Sequence, residues 1–168
     1  SEGEAGGDGL LAQIEAGNVT LGTKYDQPGL GLREADGTMS GLDVEVLTYV
    51  VNSIADENGW EHPEISWRET PSAQRETLIQ NGEVAAIGAT YTINESRSEA
   101  VSFGGPYLLT HQGLLVRKDA NDITGLEDLD GRILCSVTGS TPAQKVKDAL
   151  PGVQLQEYDT YSSCVEAL

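Results

Sequence analysis

From residue 19 onward the hydrophobic positions of this chain switch between two periods. In 19–25 (VTLGTKY), Val19 and Leu21 fall on one side of a period-two pattern, which predicts a strand. A loop rich in Gly and Pro follows (DQPGLG), then a turn over ADGT at 35–38. From Asp43 the spacing becomes helical. Val44, Leu47, Val50, Val51 and Ile54 share one stripe, predicting an amphipathic helix to about Glu57 that Asn58-Gly59 ends. Ile65 and Trp67 alternate in EISWRE, a second strand. Residues 72–80 read as a short helix stopped by Asn81-Gly82. VAAIGA at 84–89 is a continuous apolar run between turns, the pattern of a strand covered on both faces.

The later half repeats the alternation. Residues 112–116 and 133–137 predict strands, and 125–131 (GLEDLDG) a short helical turn. Residues 141–150 predict a helix with Pro142 in its first turn, 153–158 a strand, and 161–168 a helix. Strands alternating with helices imply a parallel α/β sheet. Such sheets bind ligands beyond the carboxyl ends of their strands. That rule singles out Lys24 after the first strand, Ser72 and Arg75 after the second, 90–97 after the third, and 138–141 in the later half.

Composition narrows the classes. With 168 residues the chain can bury a real core, and 38% hydrophobic and 22% charged residues are ordinary for a soluble globular protein. No apolar run approaches the roughly 20 residues of a membrane span. No signal-peptide pattern opens the chain, so the expectation is a mature or engineered N-terminus. SEGEAGGD at 1–8 has no apolar periodicity and reads as a flexible tether, with structure expected from about Leu10. The 27 acidic residues outnumber the 10 basic ones, for a net charge of -17, which argues against nucleic acid as a partner. The carboxylates are spread along the chain and read as solubility. Cys135 and Cys164 form no CxxC and have no neighbouring His, so a metal site is not expected. They are either buried thiols or a pair. In an oxidising compartment the expectation is a bridge closing a loop of about 29 residues, stabilising by roughly 3–4 kcal/mol on the chain-entropy model. His62 and His111 are isolated, and no nucleophile–base arrangement or acid pair stands out, so no catalytic residue and no cofactor are assigned.

Two stretches carry recognisable chemistry. ATYTINESR at 89–97 ends a buried strand in hydroxyls and an Arg, which suits a carboxylate and equally suits turn and cap chemistry with a surface Arg. VTGSTPAQ at 137–144 puts Gly139 and the hydroxyls of Thr138, Ser140 and Thr141 before a Pro-led helix, which suits an anion and equally a well-capped helix. It lacks the spacing and the Lys of a P-loop.

Four segments taken in order resemble the polar amino-acid family of periplasmic solute-binding proteins. They are GLDVEV at 41–46, LIQNGEVAAIGATYTINESRSEAVSFGGPY at 78–107, LLVRKD at 114–119 and GLEDLDGRILCSVTGSTPA at 125–143. KYDQPGLGLR at 24–33, PSAQRETLIQNGE at 71–83 and QEYDTYSSCVEAL at 156–168 are similar more narrowly to glutamate-binding lipoproteins of actinobacterial-type ABC importers. The resemblance covers about 19–168. It implies a periplasmic-binding-protein type II fold with two α/β lobes around a cleft, joined by two crossing strands, the first near 108–116. It divides the chain into a tether at 1–9, a first lobe at 10–110 and the opening part of a second lobe at 111–168. Members of the family continue further, so the fold is expected here in truncated form. The acidic residue that meets the ligand's α-amino group in the family is expected in the later stretch.

By position, the resemblance implies that Arg97 holds an amino acid's α-carboxylate with Thr92, and that Thr90 lies at its α-amino group. It implies that Thr141 reaches the ligand on closure, and that Lys24, Ser72 and Arg75 hold a side-chain carboxylate. Tyr25 and Tyr161 fall in segments that line the cleft. Charge arithmetic agrees. Glutamate carries two carboxylates and one ammonium, and Lys24, Arg75 and Arg97 are three of only ten cations. Facing a neutral or basic ligand side chain, Lys24 and Arg75 would lack a ligand partner, which is costly in a closed cleft. The implied function is extracytoplasmic capture of glutamate for the membrane permease of an ABC importer, with the membrane reached only through a lipid anchor. Glutamine or aspartate binding is the alternative within the class. A glutamate-receptor ligand-binding core would need a membrane segment between 107 and 119, and a periplasmic dehydratase would need a general acid or base that nothing marks.

Overall fold

A computed structural model describes residues 9–168 of the chain. The expected tether, apart from Gly9, lies outside the described residues. The chain divides into two compact units, one ending at Ser102 and the other spanning Phe103–Leu168.

In the first unit β1 (Asn18–Thr23) is the central strand of a parallel sheet, with β5 (Glu64–Glu69) on one side and β6 (Ala86–Ile87) on the other. Leu21 pairs with both Trp67 and Ala86. The chain leaves β1 for β5 through α2 (Leu42–Asn58), then crosses back past β1 to β6 through α3 (Arg75–Gln80). The strand order therefore reverses about β1, and the crevice of such a sheet opens at the carboxyl ends of its strands. Val19 and Leu21 join Ile14 of α1 (Leu10–Glu15) and Leu47, Val51 and Ala55 of α2 in one buried cluster, with Trp60, Ile65 and Trp67 packed against it. Gly22 lies between the apolar positions for a steric reason. A Cβ there would collide with Thr70 Oγ1 and Ile87 Cγ1, so only glycine lets the flanking chains approach β1 at its end.

The start of α2 is set by a small antiparallel sheet of β2 (Asp26–Gln27), β3 (Gly31–Arg33) and β4 (Met39–Ser40). The first N–H groups of α2 need outside partners. Leu42 and Asp43 donate to the carbonyls of Gly29 and Leu30, both at 3.0 Å. Gly41 precedes them at φ 113, where a Cβ would run into the Leu30 carbonyl. The helix ends at the expected glycine, Gly59, in the left-handed conformation.

Several expectations change at their edges. The first strand stops at Thr23, so Lys24 and Tyr25 leave the sheet. Of the apolar run 84–89 only Ala86 and Ile87 form strand. α4 (Glu95–Ala100), capped by Asn94, begins in the stretch whose hydroxyls and Arg suit a carboxylate or turn and cap chemistry, where no helix is predicted. The strand expected at 112–116 is absent: residues 103–116 contain no helix or strand. A strand exists only through pairing, and no described strand pairs with this segment.

The second unit is built on β7 (Ile133–Val137) and β8 (Gln154–Tyr158), parallel and joined by α5 (Thr141–Ala149). α6 (Tyr161–Ala167) follows. Cys135 on β7 and Cys164 on α6 form a disulfide with Cα atoms 5.6 Å apart, within the normal span of such a bridge. The bridge ties the last described helix to the sheet, where α6 has no fully buried residue of its own.

Candidate functional site

The first unit gathers most of the sequence-selected residues at the carboxyl ends of its strands. Lys24, one residue past β1, is 4% exposed, and its Nζ donates to Ser72 Oγ at 2.7 Å. Ser72 opens the 3-10 turn after β5 and is 2% exposed. No carboxylate among the described residues lies within 4.0 Å of Lys24. Arg75, at the start of α3, is also 2% exposed. Burial and then the Arg75 charge lower the Lys24 ammonium, against the opposing charges of Asp26 and Glu69, to about 8. Two cations buried beside each other repel, and an anion placed between them and solvent offsets that cost.

Arg75 also shapes the end of β6. Its Nη1 donates to the carbonyls of Ala89 at 3.0 Å and Thr90 at 3.3 Å. The Thr90 N–H donates to Asp43 Oδ2 at 2.9 Å, and Asp43 is 1% exposed. Thr90 sits at φ 45, a region that β-branched residues avoid and that tends to mark functional backbone. A buried carboxylate thus accepts from the Thr90 N–H while a buried guanidinium donates to the Thr90 carbonyl.

Arg97, in α4, packs closely. Its Nη1 donates to the Thr92 carbonyl at 2.9 Å, and its Nε lies 3.7 Å from Glu76 Oε1. The guanidinium lies 4.8 Å from the Tyr91 ring centroid, and that of Arg75 lies 4.2 Å from the same ring. The Tyr91 hydroxyl donates to Glu76. Burial, then that hydrogen bond, raises the Tyr91 phenol well above the usual tyrosine range. Arg75, Thr90, Thr92 and Arg97 are therefore linked through direct or shared contacts, Lys24 and Ser72 form a hydrogen-bonded pair, and the Arg75 charge acts on Lys24. Tyr25 departs from this group: its hydroxyl donates to the Trp67 carbonyl at 3.0 Å, along β5, and Arg33 lies over its ring.

Thr141 and Tyr161 belong to the second unit. Each is the half-buried first residue of its helix, α5 and α6. The cap of α5 is Ser140, whose Oγ accepts from the Ala143 N–H at 3.2 Å, and Thr160 caps α6. Of the hydroxyls before α5, Ser140 thus serves the helix itself.

Sequence reading passed over Asp43, Glu76 and Tyr91. Asp43 had a visible signal. It lies four residues before Leu47 and eight before Val51, on the buried stripe of α2, where an acid needs partners. Glu76 and Tyr91 had none, because their importance lies in contacts formed only when α3 and the 90–97 segment come together.

These features make a cluster of buried and half-buried cations at strand ends, a chemistry that suits an anion. Residues 19–165 match the family of bacterial extracellular solute-binding proteins, family 3, and the chain belongs to that family. It is 80% identical over 97% of its length to the glutamate-binding protein GluB of Corynebacterium efficiens, and 76% identical over 98% to that of Corynebacterium glutamicum. The chain spans 56% of the length of each of these relatives. Among solved structures it superposes on an ancestral arginine-binding protein bound to glutamine with a TM-score of 0.79 and 28% identity, covering 90% of this chain and 64% of that one. The architecture is the type II periplasmic-binding-protein fold of such proteins.

Lys24 gives this site a pH signature. Its folded pKa lies below the ordinary 10.5, so between about 8 and 10.5 the unfolded chain binds more protons at this group than the folded one. The charged ammonium therefore opposes folding fully below about 8, and that opposition is relieved as pH rises through the window. A ligand carboxylate beside it acts in reverse, favouring the ammonium and raising its pKa. The affinity of a carboxylate bound beside Lys24 is thus expected to be level below about pH 7 and to fall above about pH 8, by up to about tenfold per pH unit. Titrations from acidic to alkaline pH in the native chain and in Lys24→Met check this. The ligand's own amino group titrates in both, so only the difference between the two profiles reports Lys24. Superimposable profiles would remove Lys24 from the ligand.

Proposed function

We propose that this chain is the ligand-capturing part of an extracytoplasmic solute-binding protein that takes up L-glutamate for an ABC importer. The observation that carries the reading is the buried pair of cations at the strand ends, Lys24 and Arg75, beside a third cation, Arg97. In a chain with only ten basic residues, this convergence suits a ligand with two carboxylates. Arg97 with Thr92 takes the α-carboxylate, Thr90 lies at the α-amino group, and Lys24, Ser72 and Arg75 take the side-chain carboxylate. Tyr25, in the first lobe at 10–110, is left out of this set, since its hydroxyl is turned to the Trp67 carbonyl. Thr141 and Tyr161 join from the second, 111–168. The naming of the Corynebacterium relatives as glutamate-binding proteins supports this choice of ligand.

The same reading makes the protein a binder and not an enzyme. It hands glutamate to the permease subunits of its importer and is held at the outer face of the plasma membrane by a lipid anchor. Among the described residues no helix is long and apolar enough to cross a membrane. Calorimetry of the full-length protein against glutamate, aspartate and glutamine tests the proposal. Glutamate is expected to bind tightest, by about tenfold or more over glutamine. Equal or tighter binding of glutamine would replace the glutamate reading with a glutamine-binding one, as in the superposed ancestral protein bound to that ligand.

A further inference from the structure

Two arginines assigned to opposite ends of the ligand share one aromatic ring. The Arg75 and Arg97 guanidiniums lie 4.2 and 4.8 Å from the centroid of Tyr91. The ring is tethered at its far end, where the hydroxyl donates to Glu76 on α3. The same Glu76 oxygen lies 3.7 Å from Arg97 Nε. Tyr91, half-buried, is flanked in sequence by Thr90 and Thr92, and the carbonyls of both accept from these arginines.

We propose that Tyr91 is a positioning residue that sets the orientation of both Arg75 and Arg97, and so fixes the spacing between the two carboxylate-binding points of the site. This rests on the glutamate-binding reading above. The physical basis is pre-organisation. A guanidinium has many rotamers, and ordering two of them on ligand arrival costs affinity, whereas a ring face holds the planar group in place beforehand. The contact is made to the ring face, so it holds each guanidinium in place without using an N–H group as a donor. Glu76 accepts the hydrogen bond of the ring hydroxyl and adds a counter-charge to Arg97, while the ring face itself does the holding.

A ligand that uses both arginines depends on Tyr91 more than one that uses Arg97 alone. In the full-length protein, Tyr91→Leu is expected to weaken glutamate by about tenfold or more and glutamine by a smaller factor. Tyr91→Phe keeps the ring and is expected to stay within about threefold of the native protein for both ligands. A second readout needs no variant. Protons above an aromatic face are shifted upfield, so in the NMR spectrum of the native protein the Hε resonances of Arg75 and Arg97 are expected upfield of those of the exposed arginines. Native chain that binds glutamate, with Tyr91→Leu folded and within about twofold of it, would overturn the proposal and leave the functional reading intact. So would a Tyr91→Phe variant as weak as Tyr91→Leu, or unshifted arginine resonances in the native protein. If the native protein does not bind glutamate at all, the functional reading fails, and the arginine resonances still decide whether the ring holds the two guanidiniums.

Discussion

Arg97→Ala is expected to weaken glutamate, aspartate and glutamine by a similar factor, because the α-carboxylate assigned to Arg97 is common to all three. The guanidinium is already seated: Nη1 on the Thr92 carbonyl, Nε near Glu76, and its face on Tyr91. Only 10% of the side chain is exposed, so a carboxylate brought to it is shielded from water. Removing one partner of a shielded, hydrogen-bonded charge pair costs about 2–5 kcal/mol. That is a loss of roughly thirtyfold to a few thousandfold in affinity. Part of the loss is the carboxylate left without its cation, so the effect should appear mainly in the dissociation rate. The fold should tolerate the change, since α4 buries no residue and keeps its Asn94 cap. Calorimetry with the three ligands checks the outcome. A loss seen for glutamate while glutamine keeps its native affinity would place Arg97 at the side chain of the ligand and not at its α-carboxylate.

How much of this was open to sequence reading depends on which residues report their environment locally. The helix α2 and the strands β5 and β7 show their periods because several apolar residues repeat on one face, and each was found within about a residue of its ends. α4 could not be found that way. None of its residues is buried, so no stripe of apolar positions marks it. β2, β3 and β4 are two or three residues long, too short for alternation to register. The apolar run at 84–89 reads as a strand covered on both faces, but only Ala86 and Ile87 have a partner strand at hand, and both are half-buried. In the site, the strand-end rule located Lys24, Ser72, Arg75 and 90–97. It could not tell that Tyr25 turns along β5, or that Asp43, 47 residues before Thr90, would hold its N–H. Such pairings are set by packing across the sheet, and a linear pattern does not carry them.

Arg75→Ala tests the choice of glutamate most directly. The side chain does two things at once. Its Nη1 holds the Ala89 and Thr90 carbonyls, and its charge, beside Lys24, faces the proposed side-chain carboxylate. The first role is indifferent to which amino acid is bound. The buried Ala89 carbonyl and the part-buried Thr90 carbonyl lose a donor, and Thr90 at φ 45 loses one of its restraints, so every ligand should bind less well. The second role distinguishes ligands, because the guanidinium meets a full charge in glutamate and a dipole in glutamine. Glutamate is therefore expected to lose about 2–5 kcal/mol, and at least about 1.4 kcal/mol, or tenfold, more than glutamine. The ratio of the two dissociation constants isolates this second role, since loss of the backbone contacts cancels from it. Lys24→Met should move the ratio in the same direction by less. An ammonium is a single point of charge on a flexible stem, and this one already gives a hydrogen bond to Ser72. The measurement belongs in the full-length protein. A ratio unchanged in both variants would mean that the two buried cations serve the backbone and each other and not the ligand's side chain, and the preference for an acidic amino acid would lose its physical basis.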